Sequence, residues 1–524
     1  MESLLNIFGK CDNQLLCFHD KLMDKLPNDP PMDLSQDAHQ SLDPEDWKAF
    51  RQQSHHMIDD MLDFIEHLRE RPVWQPIPQA SRVKFQMPLP KKPQSLASAH
   101  DTFMQDILPY GPGNSHPGFM GWVQGGGSPV GMLAEMLAAG LNANTGGRDQ
   151  MPLEVERQIV RWMRELFSFP ESASGVFVTG TSMANLMSVL VARTVALGKS
   201  VRQAGIYEAD KQLTAYTSVE AHGCVAQAMD LAGFGTTALR RIPSNDLFQM
   251  DTVALCAAIA ADRAAGLQPF FIAGTAGSVD VGAIDPLNTI ADIAHQESCW
   301  FHVDGAFGAL GMMSPQVAPL LKGIERADSI AFDFHKWGQV QYDAGFLLVR
   351  DSTLHMDAFA APVAYLRRES RGLAGGSPWP CDFGPDLSRG FRALKTWFTL
   401  QVYGTEKLGK IISQTCDLAQ YLVQQIAQHP SLELLAPVAL NVVCFRYCGN
   451  TTMLVDKHSI DDLNRDIVAD LHESGLAVPS TTTIRGQLAI RVAIVNHRTD
   501  RHAIDVMLDA VLALGQIRFA SATE

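Results

Sequence analysis

The 524-residue chain lacks any uninterrupted apolar run long enough to cross a bilayer, which argues against a helical membrane protein. Its opening stretch, MESLLNIFGK, has no basic segment followed by a long apolar one, so no secretory leader is expected and a cytoplasmic location is. Basic charge is in deficit: 42 Lys and Arg against 57 Asp and Glu give a formal net charge of −15. That balance speaks against nucleic acid and anionic membrane surfaces as main partners. Nine cysteines lie scattered at 11, 17, 224, 256, 299, 381, 416, 444 and 448. With an odd count and no CxxC pair, neither a disulfide frame nor a zinc site is expected. No metal site is expected elsewhere either: the adjacent His55 and His56 point to different faces of a helix. Repeats and low-complexity tracts are missing too.

What remains is an ordinary globular composition, 46% hydrophobic and 19% charged, long enough for one large domain with appendages. Residues 1–100 are polar and punctuated by proline. Within them DPEDWKAFRQQSHHMIDDMLDFIEHLRER predicts a helix, with Asp43 as cap and Pro44 in the first turn. Such an arm cannot bury its apolar stripe alone and is expected to pack on another surface. From 101 to 405 short apolar runs alternate with helical stretches: GVFVTG, LTAYTS, QPFFIAG, CWFHVD, SIAFDF and DAGFLLVRD. This alternation predicts an α/β unit with a largely parallel sheet covered on both faces. From 406 to 524 a smaller α/β domain follows, with strands at LNVVCFRY and QLAIRVAIV.

Ligands of open parallel sheets gather at the carboxyl ends of the strands. There VTGTSMAN places Gly180, Thr181 and Ser182 at a strand-to-helix turn, where backbone N–H groups and hydroxyls suit an anion; turns and caps use the same residues. CWFHVDGAFG puts Asp304 at a strand end before the small Gly305 and Ala306, either as a turn cap or as a buried carboxylate for a protonated ring nitrogen. SVEAHGCV puts His222 past another strand end, as a structural histidine or as a ring to stack on a planar ligand. SIAFDFHKWG carries Lys336 at a strand tip, 32 residues after Asp304. A carbonyl-reactive lysine, a carboxylate, a stacking histidine and a phosphate-binding turn are together what pyridoxal 5'-phosphate requires.

The segments HVDGAFGAL, ERADSIAFDFHKWG and YDAGFLLVRD closely resemble the group II pyridoxal-phosphate decarboxylases, which include aromatic-L-amino-acid, histidine and glutamate decarboxylases. The likeness runs from NSHPGFMGW to AIRVAIVNHRT. It implies the fold-type I architecture of the aspartate-aminotransferase kind: a mainly parallel seven-stranded sheet with flanking helices, a swapped N-terminal arm, a small C-terminal domain and a homodimer. It implies Lys336 as the Schiff-base lysine, Asp304 as partner of the pyridine nitrogen and His222 as the residue stacked on the ring. Gly180, Thr181 and Ser182 resemble the phosphate-binding turn, His335 the histidine near the phosphate, and Ala306 a residue lying against the ring. The activity implied is decarboxylation of an L-amino acid to its amine and carbon dioxide.

Several positions depart from the family pattern. Ser278 and Val279 stand where two threonines are common, and Gly338 with its glutamines where apolar residues are. The lid, placed in LRRESRGLAGGSPWPCDFGPDLS, offers Trp379 and Phe383 but no tyrosine, since none occurs between Tyr365 and Tyr403. The proton donor is then Tyr365, His222, water or a residue of the other subunit, and oxygen-dependent aldehyde synthesis is the alternative to decarboxylation. Phe119 and Trp122 suit an aromatic substrate; Arg148 suits an acidic one or a neighbouring carboxylate. An aromatic amino acid is the first expectation, with acidic and diamino acids open.

Overall fold

The computed structural model describes residues 41–208, 211–360, 368–449 and 457–523. The chain divides into two units, Met1–Ile58 and Asp59–Glu524. In the first, the helix opens at Trp47, and Asp46 rather than Asp43 caps it. The Asp46 carboxylate accepts from the backbone N–H groups of Lys48 and Ala49 at 2.9 and 3.0 Å. Only the residue just ahead of the first helical position reaches those two orphan donors. Asp43 bonds to Ser41 instead.

In the second unit the strands are, in order, β1 (Phe119–Met120), β2 (Ser174–Val178), β3 (Leu213–Ser218), β4 (Leu239–Ile242), β5 (Gln268–Thr275) and β6 (Trp300–Asp304). They continue as β7 (Ser329–Asp333), β8 (Gly345–Val349), β9 (Leu432–Leu434), β10 (Val442–Tyr447), β11 (Val478–Ile484) and β12 (Gln487–Ala493). A seven-stranded sheet has the order β2-β8-β7-β6-β5-β3-β4, in which β8 alone runs antiparallel to its neighbours. This is the mainly parallel α/β sheet that the alternation of strands and helices predicts. The central strands are buried along their whole length, because a parallel sheet is covered on both faces. Successive residues therefore feed two cores. Ile330, Phe332, Phe346 and Leu348 enter one, and Ala331, Leu347 and Val349 the other.

A second sheet has the order β1-β11-β12-β10-β9. Its outer strand, Phe119–Met120, pairs parallel to Val478–Pro479 from more than 350 positions later. Phe119 is thereby buried against Val73 and Val478, which corrects its expected place in a substrate pocket. The helix Arg392–Ile426 bridges the region between the two sheets, with one non-helical residue, Gly404, inside it. Among the described residues no helix is long and apolar enough to cross a membrane.

The carboxyl ends of β2, β5, β6 and β7 face one side of the large sheet. β8 passes close to the turn after β2: a Cβ on Gly345 would stand 2.4 Å from Gly180 Cα, so glycine is required there. Below that turn a buried ion pair ties four segments together. Arg389 Nη2 donates to Glu156 Oε1 at 2.6 Å and to the Phe177 carbonyl at 2.9 Å, and Nη1 donates to Glu156 Oε2 at 3.2 Å and to the Thr145 carbonyl at 2.9 Å. Replacing one partner leaves the other charge buried alone. Arg389→Met is expected to cost about 3–5 kcal/mol in stability, and Arg389→Met with Glu156→Leu about 1–2 kcal/mol less than that. Chemical denaturation of the three proteins checks both values.

Candidate active site

A cavity of about 560 Å³ opens at the carboxyl ends of these strands. Its wall brings together the described residues expected around the cofactor: Gly180, Thr181, Ser182, His222, Asp304, Ala306, His335 and Lys336. Tyr365 lies outside the described residues.

Asp304 ends β6 and is only 3% exposed. Its Oδ1 accepts from the Ala306 N–H at 3.2 Å and its Oδ2 from Asn185 Nδ2 at 2.9 Å. The carboxylate closes a turn and, buried, also lines the cavity. Burial pushes its carboxyl above the usual range, against the pull of Asn185 and Lys336.

Lys336 stands three residues past the end of β7, with Nζ 2.8 Å from Asp333 Oδ2. Asp333 was overlooked in the sequence as part of an apolar strand. Its signal was the i,i+3 spacing to Lys336. Its other oxygen, Oδ1, accepts from the Thr181 N–H at 2.8 Å. One backbone donor of the expected anion site is thus already engaged. The Thr181 hydroxyl is buried and has no partner among the described residues. It sits at the N-terminus of the 17-residue helix Thr181–Leu197, where an anion is favoured. An unmet hydroxyl at a helix end, an amine and a buried carboxylate in one cavity match the phosphate, aldehyde and ring nitrogen of pyridoxal phosphate.

His222 caps the helix Gly223–Leu231, its Nδ1 accepting from the Cys224 N–H at 3.1 Å, while its ring lines the cavity. His335 Nδ1 accepts from the Ala344 N–H at 3.0 Å, and burial holds its pKa below the ordinary value. The ring of Tyr342 lies against it, with centroids 4.3 Å apart. Tyr342 also lines the cavity, and burial raises its phenol, so it stays protonated. The sequence reading, searching the lid for a tyrosine, missed this one before it.

Trp122 lines the mouth at 54% exposure with φ 49°. Arg491, also missed, is buried below it and donates to the carbonyls of Trp122 and Val279. Val279 faces the cavity, whereas Ser278 closes a turn by accepting from the Ala283 N–H at 3.0 Å. Gly338 is set by space, since a Cβ there would stand 2.5 Å from the Phe334 carbonyl oxygen.

The expected lid is packed at its centre. Trp379 is 1% exposed, lies between the guanidinium groups of Arg148 and Arg368, and donates to the Gly375 carbonyl at 2.7 Å. Arg148 faces an aromatic ring, its guanidinium 4.8 Å from the centroid of Trp379. Trp379 and Phe383 are absent from the cavity wall.

Residues 78–448 match the family described as "Pyridoxal-dependent decarboxylase conserved domain". The chain is 29% identical over 477 residues to the aromatic-L-amino-acid decarboxylase of Bacillus atrophaeus, covering 90% of this chain and 96% of that one. It is 27% identical over 488 residues to the phenylacetaldehyde synthase of Petunia hybrida, covering 90% and 94%. The crystal structure of Oryza sativa TDC with PLP and tryptamine superposes with a TM-score of 0.84 over 91% of this chain and 100% of that one; at 23% identity this likeness shows the fold. The chain belongs to the pyridoxal-dependent decarboxylases, carboxy-lyases that use pyridoxal phosphate.

Proposed function

We propose that this chain converts an aromatic L-amino acid to its amine and carbon dioxide, with Lys336 as the amine that bonds the cofactor's aldehyde carbon. The observation that carries this reading is the convergence of Lys336, Asp304 and the unmet Thr181 hydroxyl on one cavity. Bound there, pyridoxal phosphate supplies an electron sink for the pair left when carbon dioxide departs. The chain's part is orientation and charge. Thr181, Ser182 and the end of their helix hold the phosphate, with His335 beside them. Asp304 accepts the hydrogen of the ring nitrogen and keeps that nitrogen cationic. His222 covers one face of the ring, and Ala306 leaves room on the other. Trp122, Val123, Phe307 and Tyr342 give the cavity apolar surface for a flat side chain, in keeping with the named activity of the Bacillus relative.

In the same reading residues 1–100 form an arm that packs on a second copy, 101–405 carry the cofactor, and 406–524 form the small domain. Leu133, Met136, Leu137 and Leu141, exposed on the helix Pro129–Leu141, support a homodimer. The seven described cysteines are free thiols, which supports a cytoplasmic location.

A second reading, oxygen-dependent aldehyde synthesis, is favoured by the absence of a tyrosine from 366 to 402 and by the Petunia relative. It consumes dioxygen and water and releases aldehyde, carbon dioxide, ammonia and hydrogen peroxide. Incubation with tryptophan, tyrosine, phenylalanine and dopa in air, followed by mass spectrometry, separates the two. Amine equal to the carbon dioxide released is expected; aldehyde with peroxide replaces the proposal by the second reading. Lys336→Ala is expected to lower turnover roughly a thousandfold or more. Trp122→Ala should reduce kcat/KM for the preferred substrate about tenfold. If the Tyr342 phenol serves protonation of the substrate carbon, Tyr342→Phe raises the aldehyde share of product severalfold, and an unchanged share removes Tyr342 from that role.

A further inference from the structure

Behind Asp304 a line of buried polar side chains runs across the sheet. Trp300 Nε1 donates to Ser329 Oγ at 2.8 Å. Ser329 Oγ lies 2.8 Å from His302 Nδ1, and His302 Nε2 lies 2.8 Å from Asn185 Oδ1. Asn185 Nδ2 then reaches Asp304 Oδ2. None of the four side chains from Asn185 to Trp300 is exposed to solvent, and His302 and Ser329 are at 0%. Buried polar groups at such depth are kept only where each is satisfied.

Hydrogen-bonding capacity fixes the direction of every link. An indole N–H only donates, and an ionised carboxylate only accepts. Asn185 therefore turns its nitrogen to Asp304 and its oxygen to His302. His302 Nε2 must carry the ring's single hydrogen, so Nδ1 accepts the Ser329 hydroxyl. Burial holds His302 neutral, with its pKa pushed down to about 3. With the Trp300 N–H lodged on Ser329 Oγ, the serine hydrogen is free to point at His302. In the reverse order the serine would receive two donors and its own hydrogen would turn out of the line.

We propose that this line, anchored at Trp300, keeps Asp304 ionised and aimed into the cavity for the cofactor's ring nitrogen, making Asn185, His302 and Ser329 positioning residues. The proposal rests on the reading of Asp304 given above. The other groups facing Asp304 are Lys336 beyond β7, and His222 and Cys224 at the head of the helix Gly223–Leu231. Burial pushes the Cys224 thiol up to about 12, so it brings no charge. Without the Asn185 donor, burial favours protonated Asp304, and a protonated carboxyl no longer attracts a cationic ring. The resulting loss of cofactor affinity deepens as pH falls.

The test titrates pyridoxal phosphate into the full-length protein and into Asn185→Leu, Ser329→Ala and Trp300→Phe, following the visible band at pH 8.5 and 6.5. Circular dichroism checks that each variant is folded. Asn185→Leu is expected to weaken binding about ten- to a hundredfold at pH 8.5, and Ser329→Ala and Trp300→Phe about three- to tenfold. Each loss should be at least about threefold larger at pH 6.5. Unchanged affinity, or a loss equal at both pH values, overturns the proposal, since looser packing alone does not depend on proton activity. Trp300→Phe, which removes one N–H and keeps a large ring, carries the same test if Ser329→Ala fails to fold. A wild-type protein that develops no visible band would defeat the cofactor assignment itself, a different failure.

Discussion

A carboxylate held in the interior constrains everything around it. Asp304 sits at the end of a central strand, almost without solvent, where an isolated charge costs several kcal/mol. It tolerates that position because donors are built in from two directions, the Ala306 N–H in its own turn and the Asn185 amide from the helix Thr181–Leu197. The same helix presents its N-terminus to the cavity. Moving that helix would therefore disturb the cavity wall and the carboxylate together. Glycine at 345 lets β8 press against the turn at the head of this helix.

The parallel sheet explains why these residues meet although they span more than 150 positions. Strands β2, β5, β6 and β7 all run the same way, so the residues following each emerge on one side. Each strand is buried on both faces, leaving its carboxyl end as the place where a polar side chain reaches open space. Residues of the second sheet, Ser480, Thr481 and Arg491, close the cavity from the other side.

Much of this was legible in the sequence because burial on both faces writes strands as unbroken apolar runs. WFHVD, SIAFD and GFLLV are found where the runs predict them. Their polar tips marked Asp304 and Lys336. Four strands escaped notice: Phe119–Met120 and Leu432–Leu434 are too short to show a pattern, LRRI carries adjacent arginines, and VPSTTTI holds a proline and three threonines with one face partly exposed. The pairing of Phe119 with Val478 leaves no local signal, so its burial was missed and a pocket role expected. Asn185, Asp333 and Tyr342 were hidden by a different rule. Each is an ordinary residue of a helix, a strand end or a loop, and its importance lies in what tertiary packing sets beside it. Trp379 shows the opposite error, since a glycine- and proline-rich loop reads as free until two guanidinium groups are found against its tryptophan ring.

The Asp333 carboxylate ties the lysine to the turn that opens the helix Thr181–Leu197. Its Oδ2 takes the Lys336 ammonium and its Oδ1 takes the Thr181 N–H, each at 2.8 Å. His335 Nε2 stands 3.6 Å from the same carboxylate. A single buried side chain thus sets the distance between the amine at the tip of β7 and the first turn of the neighbouring helix. The arrangement has an electrostatic consequence. Among the described residues the cations on the cavity wall are Lys336 and Arg491, and the donors of Arg491 are largely spent on backbone carbonyls. What the turn itself offers an anion is its helix end and hydroxyls, while the Asp333 carboxylate stands close by. The Asp333 carboxylate is tolerable there only because it is already bonded to Thr181 and neutralised by Lys336. Any shift of the Lys336 amine therefore leaves a buried charge unmatched at the helix end beside it.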